Sequence, residues 1–260
     1  METNATAPRV LVLIAIGLAG GILSGAFGVG GGIVLVPLLI NFAGLDQRRA
    51  AATSLLAILP TSIAGSISYL SQGEVDLLAA GVIAIGAVAG SILGSNLLRR
   101  IRLVWLRWLF ILMLVIVAVR MALIEPERGE PLEFTLPVAL IYLGIGLIMG
   151  IAAGLFGIGG GVIAVPSLVA LLGISDLIAK GTSLLVMIPT SIAGTITNSR
   201  NRLPDVRIGL IVGVAASAAS VLGAFIALAL PPRPSSILFA VLLLAIAVQL
   251  SVKAVRAQRK

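Results

Sequence analysis

GAFGVGGGIVLVP, residues 25–37, returns 129 positions later as GLFGIGGGVIAVP, residues 154–166, and TSLLAILPTSIAG (53–65) returns at the same offset as TSLLVMIPTSIAG (182–194). No gap is needed between the two matches, and 21 of the 41 positions from Gly25 to Gly65 are identical to their partners. Shared apolar composition does not produce identity at that level, so the chain carries an internal duplication. The weaker tail keeps phase, pairing Asp76 with Asp205, Ser91 with Ser220 and Gly94 with Gly223. Two units follow, 1–124 and 134–260, joined by a loop at 125–133 that holds two prolines, one glycine and mostly acidic charge.

The units are too apolar for water. Hydrophobic residues make up 59% of the chain and charged ones 11%, with a mean hydropathy of +1.19, whereas a soluble domain is about a quarter charged. Apolar spans at 50–70, 77–98, 103–124, 179–199, 207–230 and 235–254 suit a bilayer that needs about 20 residues per crossing. Two longer stretches, 10–43 and 135–172, are interrupted by glycines. The expectation is an all-α integral membrane protein with about eight helical segments, embedded in lipid. The first segment resembles a signal peptide only until its Gly-rich sequel reappears after Tyr142, and it is read as mature structure.

The net charge of +8 sits in short basic clusters between apolar spans, where the positive-inside rule accounts for it, so no nucleic-acid partner is expected. Cysteine and histidine are absent, which removes disulfides, imidazole bases and His- or Cys-bound metals. No cofactor or metal is expected, and oligomeric state is not legible.

Charge also sets topology. If all eight segments cross once, the 18 Lys and Arg residues divide 10 to 8 between the two sides and choose no orientation. If the first and fifth segments, the Gly-interrupted ones, are re-entrant hairpins, the division becomes 14 to 4. That arrangement obeys the positive-inside rule and places both termini in the cytoplasm of a multi-pass protein of the cell (inner or plasma) membrane. It leaves three single crossings per unit, an odd number, so the repeats are expected to be inverted.

The pentads Gly28-Val29-Gly30-Gly31-Gly32 and Gly157-Ile158-Gly159-Gly160-Gly161 let the backbone leave helical geometry where a Cβ would clash. Lipid does not tolerate exposed irregular backbone, so each pentad must be buried or line a cavity. A half-helix starting there has unpaired N–H groups and a positive dipole end. Two of them brought together form an anion site without a basic side chain; tight helix crossing is the alternative. The candidate substrate contacts are Phe27, Gly28, Gly30, Gly31, Gly32 and Ile33, with their copies Phe156, Gly157, Gly159, Gly160, Gly161 and Val162.

Thr53, Ser54, Thr61 and Ser62, with Thr182, Ser183, Thr190 and Ser191, put hydroxyls on one face of the next helix, around Pro60 and Pro189. They read equally as a substrate wall and as hydroxyls bonded back to their own helix. Gly17, Gly21 and Gly25, their copies Gly146, Gly150 and Gly154, and the run Gly86, Gly90 and Gly94 read as packing ridges. Trp105 and Trp108 read as interfacial anchors. Glu74, Asp76 and Asp205 fall in loops, and no carboxylate is expected in the middle of a span. Without histidine or a mid-span lysine the usual nucleophile and base pairings cannot be built, so no enzymatic activity is expected.

At these residues the chain resembles the TauE/SafE family of sulfite and organosulfonate exporters, over nearly its whole length. The paired GxFGxGGGxxxxP motifs, Gly25 to Pro37 and Gly154 to Pro166, carry the resemblance. It implies a permease for small anions such as sulfite, organosulfonates or related organic anions, working by alternating access, with an anion channel as the alternative. The two copies differ at Arg48 and Arg49 against Leu177 and Ile178, and at Ala51 against Lys180. Lys180 either attracts the anion or snorkels as an end charge.

Overall fold

The computed structural model describes residues 10–123 and 134–258, so the connecting loop lies outside the described residues. The described residues form ten helices: α1 Val10–Phe27, α2 Gly32–Phe42, α3 Gln47–Leu70, α4 Leu77–Arg100, α5 Leu103–Leu123, α6 Leu136–Phe156, α7 Gly161–Leu172, α8 Asp176–Ser199, α9 Val206–Ala229 and α10 Pro232–Gln258. Eight are long and apolar enough to cross a membrane. The helices α3, α4, α8 and α9 have 24 residues each, about 36 Å at 1.5 Å per residue, which exceeds a hydrocarbon core of about 30 Å. Apolar side chains such as Leu11 of α1, Ile85 of α4, Val214 of α9 and Val248 of α10 stand exposed, an outer surface suited to lipid.

Aspartates cap three of the crossings. Asp46 accepts from the N–H groups of Arg48 and Arg49, Asp76 from those of Leu78 and Ala79, and Asp205 from that of Ile208. Each satisfies N–H groups that the first turn leaves without partners.

Each Gly-interrupted stretch resolves into two helices. After Phe27 the backbone passes through Gly28, Gly30 and Gly31 at φ of 66°, 72° and 70°, a left-handed conformation unfavourable for a residue with a Cβ. The chain then turns back, so that Leu35 of α2 lies over Gly20 of α1. Gly157, Gly159 and Gly160 repeat the turn at 72°, 72° and 89°.

The two halves of the chain interlock instead of standing side by side. Gly17, Gly21 and Gly25 of α1 press on the carbonyl oxygens of Val212, Ala216 and Ser220 in α9. Gly146, Gly150 and Gly154 of α6 press on those of Ile83, Ala87 and Ser91 in α4, the same contacts 129 positions apart with the units exchanged. Glycine is required here because a Cβ would run into the facing backbone, and the ridge reading holds.

The order of these contacts fixes direction. The helices α1 and α9 run parallel, as do α3 and α9, where Leu56 faces Gly209 and Pro60 faces Gly213. The pair α4 and α6 is also parallel, and α4 runs with α8. Between α3 and α8 the sense reverses, since Gly65 meets Leu184 and Gly194 meets Leu55. The helices α5 and α10 pack on each other at the flank through Leu106, Phe110 and Leu114 against Phe239, Leu243 and Leu250.

Candidate anion site at the paired glycine breaks

Gly31 and Gly160 cap α2 and α7 with backbone alone; neither N-terminus has a side-chain cap. The Gly31 carbonyl accepts from Val34 and Leu35, and the Gly160 carbonyl from Ile163 and Ala164. Among the described residues the N–H groups of Gly30 to Ile33 and Gly159 to Val162 have no protein acceptor, although all eight residues are buried. Unpaired N–H groups in a dry interior are costly unless something accepts from them.

The two breaks meet. Gly32 abuts the Gly157 carbonyl and Ile158, and Gly161 abuts the Gly28 carbonyl and Val29. Gly30 and Gly159 both lie against Ile58 and Met187, the middle residues of α3 and α8. Sequence reasoning passed over Ile58 and Met187 because nothing polar marks them; their signal is position, as an offset-related pair between the two hydroxyl clusters.

The hydroxyls divide by task. Ser54 donates to the Gly157 carbonyl at 2.6 Å and Ser183 to the Gly28 carbonyl at 3.0 Å, each pinning the other unit's break. Thr53 Oγ1 accepts from the Asp205 N–H and Thr182 Oγ1 from the Asp76 N–H, both at 2.9 Å. Thr61 and Thr190 bond back to the carbonyls of Ala57 and Val186, and Ser62 to that of Leu59. These three hydroxyls are thus bonded back to their own helices. Ser191 is buried with no partner for its hydroxyl, and so is Ser24, whose Cβ stands beside Gly31 and which sequence reasoning missed. Phe27 stacks on Phe239 with centroids 4.8 Å apart, and Phe156 tilts against Phe110 at 5.4 Å. These aromatic pairs brace the breaks from the α5–α10 side.

Exchanging Thr53 or Thr182 for Val strips a partner from a loop N–H that sits between the units. Each variant is expected to lose roughly 1–2 kcal/mol, the two by similar amounts, in denaturant unfolding of the detergent-solubilised protein. Unchanged midpoints for both would show that these bonds add nothing.

One of the two readings of Lys180 is overturned. Lys180 does not snorkel: it is 2% exposed, and Nζ donates to Asp176 Oδ2 at 2.6 Å and to Ser235 Oγ at 2.9 Å. The helix α8 starts at Asp176, three residues before the predicted span, and so carries a carboxylate that the sequence reading overlooked into the interior, 8% exposed. Burial of the ammonium is tolerable because a carboxylate four residues earlier on the same helix face neutralises it.

The family model described as Sulfite exporter TauE/SafE matches residues 2–121 and 142–260. Among similar proteins, "Probable membrane transporter protein YunE" of Bacillus subtilis is 25% identical over 212 residues, covering 72% of this chain and 77% of that protein. A "Probable membrane transporter protein" of Xylella fastidiosa is 29% identical over 204 residues, 77% of this chain and 78% of its own length. "Sulfite exporter TauE/SafE family protein 1" of Arabidopsis thaliana is 31% identical over 91 residues, 35% of this chain and 20% of that protein.

Proposed function

This chain belongs to the TauE/SafE family of membrane transporters, and from that premise we propose that its cargo is a small anion, sulfite, an organosulfonate or a related sulfur-containing or organic anion, moved by alternating access. The observation that carries the reading is the meeting of two half-helix N-termini whose buried N–H groups have no acceptor. Convergent N–H groups and two positive dipole ends in a dry interior select negative charge. The cargo class draws on the family's description and on the Arabidopsis relative's name.

In this mechanism the anion is held by backbone N–H groups of Gly30 to Ile33 and Gly159 to Val162, while Ser54 and Ser183 fix the breaks. The units, 1–124 and 134–260, act as inverted repeats that rock about the site. The support is the exchanged contacts at an offset of 129 and the opposed directions of α1 and α6. The hairpins α1–α2 and α6–α7 act as re-entrant elements, each returning toward the face it entered. Every residue of the two pentads is buried, which favours an occluded carrier over an open anion channel. The 14 to 4 division of Lys and Arg supports a cytoplasmic position for both termini. An inside-negative potential then supplies roughly 2.3 kcal/mol per exported negative charge per 100 mV, enough to drive export without a coupling ion.

Counterflow in proteoliposomes tests the proposal. Vesicles loaded with sulfite, sulfate, thiosulfate, sulfoacetate or taurine are offered a labelled sulfur anion, and saturable exchange confined to one or two of them is the expected result. Unitary currents without counterflow would replace the carrier with a channel. Labelling of an Arg49→Cys variant with an impermeant maleimide in intact cells reads orientation, and reaction from outside would overturn cytoplasmic termini.

A further inference from the structure

Lys180 is the single buried Lys or Arg, and Asp176 the single buried carboxylate, among the described side chains. Nothing in the site described above uses them, yet they adjoin it. The stem of Lys180 lies along Gly28, with its Cα, Cβ and Cγ against the glycine, and Ser183, one turn further on, donates to the Gly28 carbonyl. The ammonium head is tied to Asp176 and to Ser235 of α10. This corner lies at the end of the bundle away from both termini, where α8 and α10 begin.

The chain contains its own control. The equivalent positions in the first unit are Gln47 and Ala51, and Ala51 covers Gly157 as Lys180 covers Gly28. Ser54 completes the contact there as Ser183 does here. The same packing is thus built once without charge and once with a buried ion pair, which on its own account is weak evidence for stability. The charges are not there to form the fold at this corner.

We propose that Lys180 and Asp176 form an anion-exchangeable gate on the side of the transport path away from the termini, a reading that rests on the anion cargo proposed above. With no anion at hand Asp176 neutralises Lys180 and Ser235 holds the head in place, closing α8 against the start of α10 and the Gly28 break. A small oxyanion passing the Gly28 break takes the place of the Asp176 carboxylate on Nζ, while the lysine stem keeps its seat on Gly28. When the anion leaves, Asp176 recaptures the ammonium. At both stages the ammonium is paired, so the exchange avoids a bare buried charge. The first unit has no such gate, and the two sides of the path differ in charge.

Two variants in counterflow of radiolabelled sulfite test the gate. Asp176→Gln with Lys180→Ala transplants the first unit's own residues, which already pack this way, and is expected to raise the sulfite KM about tenfold while vesicle incorporation and thermal stability stay at the wild-type level. Asp176→Asn alone leaves the ammonium without its competitor and is expected to lower KM several-fold and slow turnover. Opposite KM shifts are the signature, since a structural pair would move both variants the same way. Shifts in one direction, or KM values within twofold of wild type for both, would overturn the gate. Wild-type protein in the same run separates the readings: no sulfite exchange by wild type removes the sulfite cargo and the gate together, whereas wild-type exchange with unshifted variants removes the gate alone.

Discussion

Gly32→Ala is expected to lower anion exchange by roughly two orders of magnitude, and Gly161→Ala to match it, with membrane insertion retained. Both glycines start half-helices at ordinary helical φ, so alanine suits the backbone itself. The obstruction is across the interface: a Cβ on Gly32 would stand 2.5 Å from the Gly157 carbonyl and from Ile158 Cα, and one on Gly161 would meet the Gly28 carbonyl and Met187. Backbone on the far side must retreat, which parts the two N-termini by a distance of the order of an ångström, and a misplacement of that size typically loses about a hundredfold in a positioned site. Gly31→Val is a poorer probe, because its φ of 70° and the Gly20 carbonyl 2.5 Å away strain the hairpin before any question of the anion arises. Gly81→Ala and Gly144→Ala, which meet open space, serve as controls. Exchange within about threefold of wild type by both Gly32→Ala and Gly161→Ala would mean that the convergence of the breaks does not form the site.

The other large effect falls on assembly. Gly21→Leu and Gly150→Leu drive a side chain into the backbone of Ala216 and Ala87 respectively, at the α1–α9 and α4–α6 crossings. These are backbone-to-backbone contacts with no flexible neighbour to yield, and overpacking of that kind costs about 1–3 kcal/mol or more. Thermal unfolding in detergent should fall by about 5 °C or more for each variant. The two drops should be similar, because the contacts are copies of one another with the units exchanged. A drop in one variant only would show that the interlock is not symmetric in energy, and none in either would remove these crossings as the interface that holds the units together.

What the residues alone determined is what depends on local pattern and on repetition. Apolar length gave the bilayer, because no other solvent accepts so much hydrocarbon, and the offset of 129 gave two units without any structure. The glycine pentads marked the breaks since few other residues adopt a left-handed φ three times in four positions. The Gly-xxx-Gly spacing marked the ridges, though not their partners. Which helix receives each ridge is a long-range matter: the Gly17, Gly21 and Gly25 ridge of α1 is received by α9 of the other unit, and no local signal records an exchange between positions about 200 residues apart. For the hydroxyls, too, the sequence left two readings, because Ser54 and Thr61 are chemically alike there. Only the fold distinguishes them, by placing Ser54 2.6 Å from the Gly157 carbonyl and leaving Thr61 bonded to Ala57. The two readings of Lys180 stayed open in the sequence for the same reason. Its burial depends on Asp176 one turn earlier and Ser235 on a helix 55 residues away, and a desolvated charge becomes tolerable only when the tertiary structure supplies the groups that pair with it.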